Sequence, residues 1–258
     1  MKKPELARTL KFVGSLILVL LIIGIIIAAA KRKTATKTKA VAVQIKSLPE
    51  GRDLITVGDV LAILDRSFGF SLEGMPHGAV NIARVERVLE KDPFVADAEA
   101  YIDAENSIQI IITQRVPVMR IIDGLGVNYY LDANGNRLPL SRNYTARVLT
   151  ASGNIPPFVP DFLTQKEHLL FQTFDLSKQI LADDFLWSMV EQIYLNKQKE
   201  FIIIPKLGKQ KIYLGTYENI QEKLANLKLF YSKAIAEEGW QKYSAFDLRY
   251  DGQIIGRK

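Results

Sequence analysis

Few side chains in this sequence could run a reaction. It has two histidines, His77 and His168, and no cysteine. Without a thiol there is no disulfide and no thiolate nucleophile. Each histidine stands alone, and a lone histidine is more often a surface or core residue than a ligand. No H-E-x-x-H, G-x-S-x-G or S-x-x-K pattern occurs, so zinc-protease and serine-nucleophile chemistry lack their spacing. Gly124-Leu125-Gly126 has no third glycine opening a helix and reads as a turn, not a dinucleotide loop. What remains is carboxylates, because hydrolysis of a glycosidic bond needs only two, about 5–9.5 Å apart. Asp183-Asp184 marks a helix start, where negative charge is favourable. Asp247 and Asp251 lie on a C-terminal strand and read as solvated. No metal site and no cofactor is expected.

The elements that must position these residues begin with an apolar run. Residues 12–30, "FVGSLILVLLIIGIIIAAA", contain no charge. As a helix the run reaches about 28 Å at about 1.5 Å per residue, close to a hydrocarbon core of about 30 Å. It has no polar face, which argues against a buried core helix. A cleaved leader is the rival reading. Lys2, Lys3, Arg8 and Lys11 form its n-region, but the run exceeds the usual apolar stretch of about 7–15 residues. The flanks do not orient it, since Lys31, Arg32, Lys33, Lys37 and Lys39 match the basic residues before it.

The net charge of +6 is local. Residues 1–11 hold four basic residues and one acidic, and 31–39 hold five basic ones. Residues 40–258 are left with 25 basic against 27 acidic, a net of −2. The basic residues flank the apolar run, where anionic headgroups can meet them. No basic face suggests nucleic acid.

After a basic linker, 31–40, comes a short strand, "VAVQI". Thr56, with Asp59 three residues on, predicts a capped helix start. Val57, Val60, Leu61, Leu64 and Phe68 recur at helical spacing up to Gly69. Asn81 caps a second helix with Ile82, Val85 and Leu89 on one face and a stop at Pro93. "FVADAEAYID" and "SIQIIITQRV" read as two strands around a turn at 103–106. The order over 41–114 is β-α-α-β-β, which predicts three strands with two helices on one face. Val60, Leu64, Val85, Leu89, Ile108, Ile110 and Ile112 are its expected core.

From Arg115 on the chain is β-rich. "VMRII", "VNYYLD", "NRLPL" and "ARVLTAS" are strand-like, and Asn134-Gly135 signals a hairpin. A proline loop at 156–160 and a helix in "LADDFLWSMVEQ" follow. "VEQIYL", "EFIIIP" and "QKIYLG" predict a meander. Ile220, Leu224, Leu227, Tyr231 and Ile235 predict a long amphipathic helix ending near Gly239. In the closing "YSAFDLRYDGQIIGRK", Phe246, Leu248, Tyr250 and Ile254 share the parity expected to face the core, and Asp247, Arg249 and Asp251 the one expected to face solvent. Asp251-Gly252 predicts a tight turn or a bulge. The last strand is expected at a sheet edge, its charges at Arg249, Asp251, Arg257 and Lys258 discouraging self-pairing.

This layout, together with "NIARVERVLEKDPFVADAEAYID", "ITQRVPVMRI", "YYLDANGNRLPLS" and "YSAFDLRYDGQIIGR", resembles the FtsQ/DivIB family of bitopic division proteins, and most closely its Bacteroidota branch. The resemblance implies an α+β chain. Its parts would be a cytoplasmic tail (1–11), a single transmembrane helix (12–30), the basic linker (31–40), a POTRA-like domain (41–114) and a larger β domain of mostly antiparallel strands with flanking helices (115–258). It implies a scaffold without catalysis in the cytoplasmic membrane at the division site, tail inside and bulk in the periplasm. Such a scaffold recruits and regulates FtsB and FtsL, and through them septal peptidoglycan synthesis. It also meets upstream proteins such as FtsK through an exposed POTRA edge. The family's partner strand falls on Arg249, Tyr250, Asp251, Gly252, Gln253, Ile254, Ile255 and Gly256, with Tyr250 the best hot-spot candidate. The inter-domain pattern falls on Gln114, Arg115, Pro117 and Arg120, whose arginines either pair with carboxylates across the junction or stand solvated beside an edge proline. Relatives often continue past the last strand, so contacts made by such a tail do not carry over to Arg257-Lys258. The alternative is a membrane-anchored periplasmic enzyme acting on peptidoglycan.

Overall fold

The computed structural model describes the backbone of residues 3–238, 243–250 and 252–258, and side-chain surroundings for 14–28, 34–233, 243–250 and 252–258. The chain divides into two units, Met1–Gln114 and Arg115–Lys258.

The first unit opens with helix α1 (Lys3–Ala35). It includes residues 31–35 of the expected linker, so the linker proper is shorter than the composition suggested. The apolar run lies in α1, and its side chains at 14–28 are exposed. The ends of the expected span, Phe12, Val13, Ala29 and Ala30, lie outside the residues whose side chains are described. Among the described residues no helix is long and apolar enough to cross a membrane.

Next come β1 (Val41–Lys46), α2 (Val57–Phe68), α3 (Ile82–Leu89), β2 (Val95–Ile102) and β3 (Ile108–Gln114). The sheet order is β1-β3-β2, with β1 parallel and β2 antiparallel to β3. Local chemistry explains the helices. Thr56 and Asp59 close a reciprocal capping box, and Gly69 ends α2 in the left-handed region at φ 76°. The Asn81 side chain accepts from Arg84 N at 2.9 Å. All seven expected core residues are buried. Gln114 is buried beside them. Its Oε1 accepts from Leu54 N at 2.7 Å, and its Nε2 donates to Lys46 O at 3.0 Å and Asp53 Oδ1 at 2.8 Å. It therefore ties the loop after β1 to the end of β3.

The second unit contains β4 (Pro117–Ile122), β5 (Asn128–Asp132), β6 (Arg137–Leu138), β7 (Leu149–Gly153), α4 (Leu169–Leu181), α5 (Asp184–Met189), β8 (Val190–Leu195), β9 (Phe201–Pro205), β10 (Lys211–Gly215), α6 (Ile220–Glu238), β11 (Ala245–Asp247) and β12 (Ile255–Arg257). One nine-stranded sheet runs β12-β11-β10-β9-β8-β7-β4-β5-β6. Pairs β4/β7, β7/β8 and β10/β11 are parallel and the other five antiparallel, so the sheet is more mixed than a meander. A parallel neighbour needs a crossover; α4 and α5 make one, from β7 to β8, and α6 another, from β10 to β11. Helix α4 was not expected from the sequence. Phe174, Leu176, Ile180, Leu186, Leu224, Leu227 and Tyr231 pack with one face of the sheet in a single core.

Four hairpins share one device. At Asp103, Asp123, Asp132 and Asn196 the side-chain oxygen accepts the backbone N–H four residues on, at 2.8–2.9 Å. The third residue after each is left-handed: Asn106 (φ 67°), Gly126 (82°), Gly135 (77°) and Lys199 (61°). Glycine suits that position.

Candidate functional site

The end of the chain forms the sheet's β12 edge. Strands β11 and β12 pair antiparallel, Ala245 with Arg257, Phe246 with Gly256 and Asp247 with Ile255. Between them Gln253 N donates to Tyr250 O at 3.3 Å, and Gly252 has φ 67°. This is the tight turn, not the bulge. Asp251, at its second position, lies outside the described residues.

The ladder fixes which backbone groups face out. Lys211 N donates to Ser244 O and Leu248 N to Tyr213 O, so Ser244 O, Leu248 N and, by register, the backbone groups of Phe246 are directed at β10, while Ser244 N, at the start of the strand, turns to Arg257 O at 2.7 Å. Alternation turns 245 and 247 toward β12. Ala245/Arg257 and Asp247/Ile255 are then the hydrogen-bonded pairs. The Ile255 N–H therefore points inward, and Gly256 turns its N–H and C=O away from the sheet. Gly256 has a second constraint: a Cβ there would lie 2.6 Å from Cδ1 of Tyr243. Only glycine lets that ring pass.

The side chains depart from simple alternation. Phe246 and Leu248 are buried in the core as expected. Tyr250 is not; regular pairing stops at Asp247, and Tyr250 stands 53% exposed beside Lys223 and Asn226 of α6. Ile254 is half-buried against the core, and Ile255 is 41% exposed. Asp247 occupies the solvent parity yet is fully buried. The reason is an ion cluster. Arg249 donates to it through Nε (2.9 Å) and Nη2 (2.8 Å), and Arg257 through Nη2. Arg249 Nη1 also bonds Glu200 Oε1 at 3.1 Å. Both guanidinium groups lie over the Tyr213 ring, at 5.6 and 5.7 Å. The Arg249 bonds chiefly, with those of Arg257, hold the Asp247 carboxyl at about 2 despite burial. The same contacts raise Arg249, and Asn196 and Arg249 lower Glu200. The cluster clamps β12 onto β11 and ties β11 to the turn just before β9. The sequence reading put Asp247 toward solvent and Arg257 among the edge charges, because nothing local marks a buried aspartate with a partner ten residues on.

The expected hinge residues have partners inside their own units. Arg115 Nη1 lies 3.4 Å from Asp132 Oδ2, and Arg120 Nε donates to Asn128 Oδ1 at 2.9 Å. Neither partner lies across the junction. Pro117 starts β4 opposite Asp132. Two of the catalytic candidates, His168 and Asp183, have structural places. His168 caps α4, its Nδ1 accepting from Leu170 N at 3.2 Å. Asp183 caps α5 and pairs with Lys228 at 2.6 Å. A depression of about 170 Å³ between β1 and α2 holds two carboxylates, Asp65 and Glu73; Glu73 Oε1 accepts from Val41 N at 3.3 Å. Among the described residues no cluster of metal-ligating side chains occurs.

A three-stranded β-α-α-β-β module followed by a mixed sheet defines the class: residues 36–113 match the family described as "POTRA-like domain". Residues 116–257, more than half of the chain, match the family described as "FtsQ/DivIB, C-terminal related", and the chain belongs to the FtsQ/DivIB family. It is similar to the cell division protein FtsQ of Salinibacter ruber, a member of the Bacteroidota, with 25% identity over 176 residues. That match covers 65% of this chain and 66% of the relative, so the chain spans just under two thirds of the relative's length.

Proposed function

We propose that this protein is a non-catalytic division scaffold, and that the outer edge of β12 takes a strand from an FtsB-like partner. Family membership supports a role in bacterial cell division. The observation that carries the rest is Gly256, whose N–H and C=O face away from β11 on a strand the Asp247 cluster holds in place. A preformed edge gives main-chain affinity without an ordering cost, and neighbouring side chains give specificity. Tyr250 and Ile255 are exposed beside it. Arg249 is committed to Asp247 and Glu200, so it is first a clamp for the edge and only second a contact. Asp251, Gly252, Gln253 and Ile254 complete the proposed surface through the turn that aims β12.

The same reading takes residues 12–30 as a membrane anchor with 1–11 cytoplasmic and the rest periplasmic, and 114–120 as the joint between a POTRA-like and a β domain. FtsL and the septal synthase would be reached through the FtsB-like partner, and FtsK through the POTRA-like domain. Affinity capture of the full chain from detergent-solubilised envelope tests the class. Recovery of FtsB and FtsL homologues supports it. Their absence, with turnover of peptidoglycan by the purified chain, favours the enzyme.

A further inference from the structure

A sheet edge offers its outward N–H groups to any extended chain unless something takes them. The first unit has two such edges, β1 and β2, and the ladder again fixes which groups face out. In β2, Asp103 N donates to Ser107 O, so residues 97, 99, 101 and 103 face β3 and Ala98, Ala100 and Ile102 face out. The Ala100 N–H donates to Oε1 of Glu86 on α3 at 2.9 Å. In β1, Ile108 N donates to Ala40 O, so Val41, Val43 and Ile45 face out. The Val41 N–H donates to Oε1 of Glu73 at 3.3 Å. Each edge of this sheet thus has one outward N–H taken by a glutamate from outside the sheet. On β12 no described residue accepts from Gly256 N.

We infer that Glu73 and Glu86 are edge guards, which hold both sides of the first sheet closed to an added strand. An incoming strand that pairs along the whole of either edge needs those N–H groups in its ladder. It must displace a carboxylate from each, and a charge-assisted bond is stronger than the neutral one replacing it. Exposed Asp97 and Glu99 on β2 add a second barrier against another copy of this chain, since antiparallel β2–β2 pairing would set like charges opposite one another. The inference is independent of the β12 reading, and either can fail alone; it replaces the exposed edge that the family resemblance implied for this domain, so an FtsK-like protein would meet it by a surface other than an added strand.

The test uses the full chain in detergent micelles. Amide exchange at Ala100 should rise about tenfold in Glu86→Ala and in Glu86→Asp, whose carboxylate is one methylene too short, and stay near wild type in Glu86→Gln, which keeps the acceptor. The Asp variant decides the matter if the Ala variant does not fold. In sedimentation, Glu73→Ala/Glu86→Ala should gain a concentration-dependent larger species absent from wild type and from Glu73→Gln/Glu86→Gln. Unchanged Ala100 exchange in both shortened variants, or identical sedimentation of the Ala, Gln and wild-type chains, overturns the inference.

Discussion

Arg257 and Asp247 are ten residues apart in sequence and bonded in space: Nη2 of the arginine donates to Oδ2 of a carboxylate with no exposed surface. That contact and the Arg249 fork turn a three-residue strand into a fixed edge. Arg249→Ala leaves a buried carboxylate with one charged partner, Arg257, and the residue-249 backbone N–H, and should cost about 3 kcal/mol in urea unfolding. A loss below about 0.5 kcal/mol would show that the cluster does not stabilise the edge.

The depressed Asp247 pKa has a signed consequence. The folded value, about 2, lies below the unfolded value of about 3.9, so the stabilisation is complete above about pH 5. It is lost progressively as pH falls from about 5 to about 1, about 2–3 kcal/mol in all. Wild type should lose about 2 kcal/mol between pH 4 and 2 relative to Asp247→Asn. Parallel pH profiles for the two would contradict it.

In the first unit, Leu64→Ala or Leu89→Ala should each cost about 2–5 kcal/mol, since both side chains are buried at the contact of the helices with the sheet. Thermal or denaturant unfolding measures this directly.

Lys199 pays for a left-handed backbone that glycine adopts freely. Lys199→Gly should raise stability by about 0.5–1 kcal/mol, the left-handed penalty less the added chain entropy of glycine. Asn106→Gly should change little, because Asn tolerates that region. Gly135→Ala should cost more than Gly126→Ala, because its Cβ would lie 2.9 Å from Leu163 Cδ1 whereas Gly126 faces open space.

These cases also show what was legible in the chain. Thr56, Asp59, Asn81 and the Asp-led hairpins act within a few residues, so their elements could be read from local chemistry. The seven core positions of the first unit followed from helical and strand periodicity. Helix α4 did not, because Thr173 and Ser177 are buried on its core face and break the apolar pattern, and its cap is a histidine. Asp247 misled because parity predicts a face, not what covers it. Two arginines and Tyr213 cover it, and two of the three lie at least ten residues away in the chain. The outward turn of Gly256 depends on the parallel register of β10 with β11, which no window of sequence contains.

At the proposed partner surface, Tyr250→Ala should weaken binding of the FtsB-like partner at least about tenfold, or about 1.4 kcal/mol, with the unfolding midpoint unchanged because the ring is exposed. Ile255→Pro is a poor probe, since the N–H it removes belongs to the β11–β12 ladder.

The most direct test of strand addition is hydrogen exchange at the Gly256 amide, with and without saturating periplasmic segment of the FtsB homologue. Unpaired in the free protein, this N–H should exchange quickly and become protected at least about tenfold in the complex. Ile255 and Arg257, already paired with β11, should change far less. A saturated complex in which Gly256 exchanges as fast as in the free chain would contradict strand addition at β12.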